Sequence, residues 1–177
     1  MKRPQSFITI AVTLLILAVL ALLGCAKNTN DCEDEGLTPD GIASALCAGV
    51  DLPPYEVTRL DETNFEYYTF VPFDDSLSAA AADALVRITP HSLVVIRAEN
   101  GNGSALAQII FQNADPNKWV STCAQTVRVV YTDRYVVLIM SETETADILT
   151  ENFRALMKSV KSDAPAVLSR DNPRYEA

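Results

Sequence analysis

The sequence has few of the side chains on which most enzyme active sites depend. Histidine occurs once, as His91, which excludes a zinc site built from several histidines. No Cys-x-x-Cys pair is present, so neither a redox dithiol nor a zinc knuckle is indicated. The Gly-x-Ser-x-Gly turn that exposes a nucleophilic serine is also missing. These absences favour a protein without enzymatic activity.

The usual signals for phosphate and cation sites are missing as well. The turn ENGNGS, residues 99–104, has two glycines but no following lysine, so it does not predict a phosphate-binding loop. The acidic stretch DCEDEGLTPDG, residues 31–41, lacks the ligand spacing and central glycine of a calcium-binding EF-hand loop. We therefore predict no metal site, no cofactor and no nucleotide.

Basic residues are scarce relative to acidic ones. The chain has 14 Lys and Arg against 23 Asp and Glu, a formal net charge of −9. Residues 31–75 contain twelve of these acids and only one base, Arg59. The resulting field opposes binding to nucleic acid or to anionic lipid headgroups. It fits a solvated acidic surface and also a surface that meets a basic partner.

One long apolar run lies at the N-terminus. Lys2 and Arg3 precede Phe7–Gly24, which is 18 residues without a charge. Such a run is typical of a leader or of a membrane anchor, and its length alone does not separate the two. The positive residues before it predict that everything after the run is extracytoplasmic.

Cys25 follows the apolar run directly. The residues before it, Leu22, Leu23 and Gly24, resemble the lipobox of bacterial lipoproteins, in which this cysteine receives a diacylglyceryl group through its thiol. The resemblance implies a protein held at the outer side of the cell membrane by lipid on Cys25. An uncleaved N-terminal helix remains an alternative, and it would place the domain on the same side.

Composition and periodicity predict four segments and an α+β fold. The segments are a lipoprotein-type signal segment over 1–24, a flexible acidic tether over 25–37, a single domain over 38–161 and a mobile tail over 162–177. For the domain we expect a mostly antiparallel sheet of about four strands, with helices packed mainly on one face. The predicted elements are a helix after Thr38, a strand in 65–73, a short helix in 76–84, a strand at 92–99, a helix from Ser104, strands in 124–132 and 135–141, and a helix after a capping box of Ser141 and Glu144.

The remaining cysteines do not form a complete disulfide framework. With Cys25 lipidated, Cys32, Cys47 and Cys123 are left, and three thiols cannot all pair within one chain. A bridge from Cys47 to Cys32 or to Cys123 is possible on sequence grounds. Cys47 also lies in an apolar helical pattern, which would bury it as a free thiol.

Two single residues stand out as candidates for function. His91 lies in the turn TPHSL and is expected to be a surface or hydrogen-bonded histidine, because no serine nucleophile accompanies it. Trp119 is the only tryptophan and follows DPNK at a helix end. It would serve either as a core anchor or as an exposed aromatic that contacts a partner or a sugar.

The span from about Asn64 to Val160 resembles an uncharacterised lipoprotein domain of clostridia and related Firmicutes. The resemblance rests on ADALVRI, on the SLVVIRAE strand, on a helix ending in DPNKW, on the VRVVYTD to YVVLIMS hairpin and on the closing helix. That family is a domain of unknown function. The resemblance implies a Gram-positive, cell-surface setting and no assigned activity, and Cys25 is the only functional residue it carries over.

Together these features predict a lipid-anchored, extracytoplasmic surface module that is not an enzyme. Its partners would be the membrane, through the N-terminal lipid, and an envelope protein or a cell-wall component. The alternative is a cell-wall-active hydrolase that uses paired carboxylates, since acidic residues are plentiful. Two facing carboxylates in a pocket would favour the hydrolase, whereas an exposed apolar patch beside Trp119 would favour the binding module.

Overall fold

The computed structural model describes residues 37–86 and 88–175 of the 177-residue chain. All of these residues belong to one compact unit. The helices are Pro39–Cys47 (α1), Phe65–Thr69 (α2), Gly103–Asn113 (α3) and Thr143–Ser159 (α4). The strands are Tyr55–Arg59 (β1), Leu77–Ala84 (β2), Ser92–Ala98 (β3), Thr126–Tyr131 (β4), Tyr135–Ser141 (β5) and Ala166–Asp171 (β6).

The strands form one antiparallel sheet in the order β1-β2-β3-β5-β4-β6. The α+β class and the antiparallel pairing are as predicted, but the sheet has six strands instead of about four. Three of the six strands were not predicted: β2, described below, and the two edge strands, β1 and β6. Each edge strand is short, and neither has more than partial burial, so neither has the apolar pattern that marks a central strand.

Helices cover both faces of the sheet, which corrects the expectation that they pack mainly on one face. In β5 the side chains of Val136 and Leu138 contact the cluster that includes α2 and α3. The alternate residues, Val137 and Ile139, contact the cluster that includes α1 and α4. Successive side chains of a strand point to opposite faces, so a strand covered on both sides is apolar at every position. The complete burial of β5 follows from this arrangement.

Several predicted elements are confirmed. Helix α1 begins after Thr38, whose hydroxyl accepts a hydrogen bond from the Gly41 amide, and strands β3, β4 and β5 and helices α3 and α4 lie where their periodicity placed them. The capping box at α4 is wrong. Glu142 is the N-cap without a side-chain cap, and Ser141 instead pairs with His91 inside the protein.

The strand predicted from FEYYTFVPF, residues 65–73, is wrong, because its first part is helix α2. The preceding turn decides the local structure. The Asp61 carboxylate accepts hydrogen bonds from the backbone amide and the hydroxyl of Thr63, and the Asn64 side chain accepts one from the Asp61 amide. This turn starts a single helical turn that ends at Phe70 with a positive φ of 62°. The alternating aromatic residues therefore do not alternate between sheet faces.

The short helix predicted in residues 76–84 is also wrong, because this segment is strand β2. Its four alanines, Ala79–Ala82, are buried between β1 and β3, with helix α1 on one face. Small side chains let the helix approach the sheet closely. Alanine has the highest intrinsic helix propensity, but the preference per residue is small, and pairing with two neighbouring strands outweighs it.

The C-terminal segment differs from the mobile tail that was predicted over 162–177. Ala166–Asp171 pairs with β4 along its whole length as strand β6. The Arg170 guanidinium also donates hydrogen bonds to the carbonyls of Phe111 and Ala114, at the end of α3. These bonds connect the segment to both the sheet and a helix, although its own side chains show little apolar periodicity. Within residues 37–86 and 88–175, no helix has the length and apolar character needed to cross a membrane.

Candidate functional site

A cavity of about 340 Å³ opens beside Trp119 at the β1 edge of the sheet, on the face covered by α2 and α3. We call it the Trp119 cavity. Its walls come from strands β1 and β2, from α2 and from the two loops that follow β2 and α3. The lining residues are Glu56, Thr58, Tyr67, Tyr68, Ala81, Asp83, Ala84, Leu85, Lys118, Trp119 and Val120.

A polar row crosses the end of this otherwise apolar sheet face. Glu56 of β1 is directly opposite Asp83 of β2, and Asp83 is directly opposite Ser92 of β3. Directly opposed residues of antiparallel strands have their Cβ atoms about 4.5–5.5 Å apart, and like charges in such positions repel each other. The row therefore brings two carboxylates together, and a positive charge nearby would reduce their repulsion.

Lys118 supplies this positive charge from the loop after α3. Its side chain is only 5% exposed, and its Nζ lies 3.6 Å from Asp83 Oδ2. The ammonium also donates a hydrogen bond of 3.0 Å to the Ser92 hydroxyl. The ring centres of Tyr67, Tyr68 and Trp119 lie 5.3, 5.1 and 5.0 Å from Nζ, within the range of cation–π attraction.

Burial changes the ionisation of the groups in this cluster. It lowers the pKa of Lys118, because desolvation disfavours the ammonium, and the nearby Asp83 carboxylate opposes that shift. It raises the pKa of Tyr68, and the negative charge of Asp83 adds to the effect. The ion pair with Asp83 and the three aromatic rings therefore offset the cost of burying the Lys118 charge.

The hydrogen-bonding capacity of the two carboxylates is only partly used. Asp83 Oδ1 is buried and has no hydrogen-bond partner among the described residues, while Oδ2 faces Lys118. Glu56 is exposed on the edge strand. Counting the residues that line the cavity, two carboxylates face one ammonium, so the walls carry a charge of −1.

The structure places Trp119 at the boundary between core and surface. It is half-buried, packs against the cluster beneath α2 and α3, and forms part of the cavity wall. Its neighbours at the cavity mouth are apolar and exposed: the exposed fractions are 95% for Val120, 61% for Leu85 and 60% for Tyr67. We call Tyr67, Leu85 and Val120 the apolar rim.

His91 lies in the core instead of on the surface. It is 1% exposed, and its Nδ1 lies 3.2 Å from the Ser141 hydroxyl. Its Nε2 is buried without a hydrogen-bond partner among the described residues. Burial lowers the pKa of His91 to about 4, and the positive charge of Lys118 contributes, so the imidazole is neutral near pH 7.

The cluster offers only limited means for covalent chemistry. Lys118 contacts Ser92, but Ser92 is fully buried, so a substrate cannot reach its hydroxyl as it would reach a nucleophile. Within the described residues, no three His, Cys, Asp or Glu side chains come together as metal ligands. The paired carboxylates Glu56 and Asp83 are the groups that fit the hydrolase alternative. Glu56 is exposed on the edge strand, however, and Asp83 is already paired with Lys118.

The predicted lipidation site, Cys25, lies outside the described residues, as do the signal segment and nearly all of the tether. Cys47 and Cys123 are both free thiols, so neither of the considered bridges involving Cys47 is present. Cys47 is buried in α1, as its helical pattern indicated, and burial raises its pKa to about 11. It is therefore a packing residue and a poor nucleophile.

Sequence reasoning singled out Trp119 but missed the three charged residues beside it. Glu56 lies on β1, which was not recognised as a strand. Asp83 ends the alanine run of β2, and a charge at the end of a buried strand is a signal that could have been used. Lys118 directly precedes Trp119, but its burial depends on α2, which was predicted as a strand. The contact between Trp119 and a partner stays a prediction.

The chain matches no protein-family model, and no curated protein or solved structure shows significant similarity to it.

Proposed function

We propose that this protein is a lipid-anchored, extracytoplasmic surface module that binds an envelope protein or a cell-wall component through the Trp119 cavity. The apolar run before Cys25 and the lipobox-like residues support the membrane location. The absence of a recognisable nucleophile or metal motif supports a binding role over catalysis. The clostridial lipoprotein resemblance agrees with this setting and adds no activity.

The observation that carries the proposal is the apolar rim. Three exposed apolar side chains lie at the mouth of a cavity that has an aromatic wall and charged groups inside. Exposed apolar side chains that are gathered at one place and bordered by polar groups are typical of interaction sites. Aromatic residues also contribute most strongly to binding energy at protein interfaces. Val120 in particular makes almost no contact with the rest of the domain, so folding does not explain its apolar character.

Affinity capture from solubilised envelope tests this proposal. The bait is the native lipidated protein, compared with a Val120→Asp variant and with a matched Ile148→Asp variant. Ile148 is exposed on α4, on the opposite sheet face, so it controls for the loss of an exposed apolar residue. We expect Val120→Asp to lose the captured component and Ile148→Asp to retain it. Equal capture by all three baits would reject the Trp119 cavity as the binding site.

A second candidate function is hydrolysis of a wall glycan by Glu56 and Asp83. Their direct opposition across β1 and β2 is compatible with the short carboxyl separation of retaining glycosidases, about 5–5.5 Å. The exposure of Glu56 and the pairing of Asp83 with Lys118 make this the weaker candidate. Incubation with purified peptidoglycan separates the two functions. Release of soluble fragments that disappears in Glu56→Gln would favour the hydrolase.

A further inference from the structure

We propose that the Trp119 cavity recognises a basic peptide segment, in which a Lys or Arg side chain enters between Glu56 and Asp83 and a neighbouring apolar residue rests on the apolar rim. The inference rests on the proposed function and specifies the chemistry of its ligand. Four features of the cavity support it: its net charge, an unpaired carboxylate oxygen, the position of Lys118 and the character of the rim.

The charge of the cavity favours a cation. Glu56 and Asp83 contribute two negative charges, and Lys118 contributes only one positive charge. The chain as a whole carries a net charge of −9, and residues 31–75, the segment that supplies Glu56, Tyr67 and Tyr68, contain twelve acids against one base. A ligand that brings positive charge therefore gains from the local carboxylates and from the wider field, which also steers its approach.

Glu56 and Asp83 define where the cation would bind, because Glu56 is exposed and the Asp83 side chain directly opposite it is 23% exposed. Asp83 Oδ1 is turned inward and has no hydrogen-bond partner among the described residues, so Asp83 keeps an unused acceptor that a small side-chain rotation would present to the ligand. Glu56 is the next side chain in the same cross-strand row, so both carboxylates can accept hydrogen bonds from one donor group. Ammonium and guanidinium groups have several N–H donors and bind paired carboxylates with charge-assisted hydrogen bonds.

Lys118 does not occupy this position. Its ammonium is directed to Oδ2 of Asp83 and to the Ser92 hydroxyl, on the β3 side of Asp83. Glu56 lies on the β1 side. The three aromatic rings around Lys118 stabilise its charge further. A second cation can therefore approach from the edge strand, and the repulsion from Lys118 is outweighed by two carboxylates.

The apolar rim distinguishes a peptide from a free amine or a sugar. Leu85 and Val120 are aliphatic, and they fit an apolar side chain beside the basic residue. A glycan would place its hydroxyl groups against these apolar side chains, which contributes little favourable binding free energy because the hydroxyls would lose hydrogen bonds to water. A peptide that alternates basic and apolar residues matches both parts of the surface.

Trp119 is the only tryptophan, so its fluorescence reports binding in this cavity directly. The probes are a peptide of alternating Lys and Leu, the same peptide with acetylated lysines, and a tetramer of N-acetylglucosamine. We expect saturable fluorescence changes with the basic peptide alone. Glu56→Gln should weaken its binding about fivefold, the effect of losing one solvent-accessible charge-assisted hydrogen bond. Glu144→Gln, an equal charge change on exposed α4, should leave the affinity unchanged.

Several results would overturn the inference. Equal binding of the acetylated peptide would show that charge is not recognised, and equal weakening by Glu144→Gln would show only general attraction to an acidic protein. Binding of the sugar alone would reject a peptide ligand but leave the Trp119 cavity as a binding site. No fluorescence change with any probe would reject the peptide, and the envelope capture with Val120→Asp would then decide the proposed function separately.

Discussion

Replacing Lys118 by Met should destabilise the domain, because it removes the ammonium that pairs with Asp83. Met keeps most of the packing of the lysine stem against the rings. Asp83 is 23% exposed, so its carboxylate would stay largely desolvated without an ionic partner. Removal of one member of a fully buried ion pair costs about 3–5 kcal/mol. Two effects reduce this cost to about 2 kcal/mol: Asp83 is partly exposed, and the variant no longer has to desolvate a buried ammonium.

The measurement is the free energy of unfolding from denaturant titration, together with a thermal melt. A loss of about 2 kcal/mol corresponds to a fall in Tm of roughly 6 °C for a domain of this size. The double variant Lys118→Met with Asp83→Asn removes the stranded charge, so it should recover at least about 1 kcal/mol relative to Lys118→Met alone. Unchanged stability of Lys118→Met, or no recovery in the double variant, would refute the reasoning.

Three further predictions concern acid sensitivity and packing. The pKa of His91 is lowered from 6.5 to about 4 in the folded protein, so between these pH values only the unfolded chain binds the proton. The free energy of unfolding should therefore fall by up to about 3 kcal/mol as the pH drops from 6.5 to 4. Denaturant titrations at several pH values in this range should show that the free energy of unfolding of His91→Gln falls less with decreasing pH than that of the unchanged protein. An identical pH dependence would contradict a neutral, buried His91. Ala82→Leu should cost about 1–3 kcal/mol by overpacking, because Ala82 is fully buried on the face covered by α1, whereas exposed Ser78→Leu on the same strand should change stability by less than about 0.5 kcal/mol. Similar values for the two variants would reject the close packing of β2. Gly103→Ala should lower Tm more than Gly101→Ala, because a Cβ at Gly103 would overlap the Thr132 carbonyl oxygen. At Gly101 the space is open, and only the φ of 65° opposes alanine. The reverse order of Tm values would contradict the close approach of α3 to the β4–β5 turn.

Elements with a strong, continuous pattern could be predicted from the sequence. Strand β5 is apolar throughout, and α4 repeats its apolar residues at helical spacing, so both were placed correctly. The segments that failed have local preferences that tertiary structure overrides. The alanines of β2 favour helix in isolation, but two neighbouring strands and α1 require small side chains there. Strand β6 is formed by pairing with β4, which periodicity does not reveal.

The candidate site was predictable only in part, for a related reason. Trp119 was identified because it is unique in the chain, and its neighbourhood depends on contacts between residues far apart in sequence. Glu56, Asp83 and Lys118 come from two strands and a loop, and only the cross-strand register brings them together. The turn at Asp61 and Asn64 starts the short helix α2, and both Tyr67 and Tyr68 line the cavity from this helix. In a strand, these two neighbouring side chains would point to opposite faces of the sheet.

Photo-crosslinking from Val120 tests most directly whether the Trp119 cavity engages a partner at the cell envelope. A photoreactive residue replaces Val120 in one variant and exposed Ile148 in another, and both are irradiated in intact cells. The proposed function predicts a discrete adduct from position 120, none from position 148, and loss of the adduct when Trp119 is changed to Ala. Adducts of equal yield from both positions, or none from position 120, would contradict it.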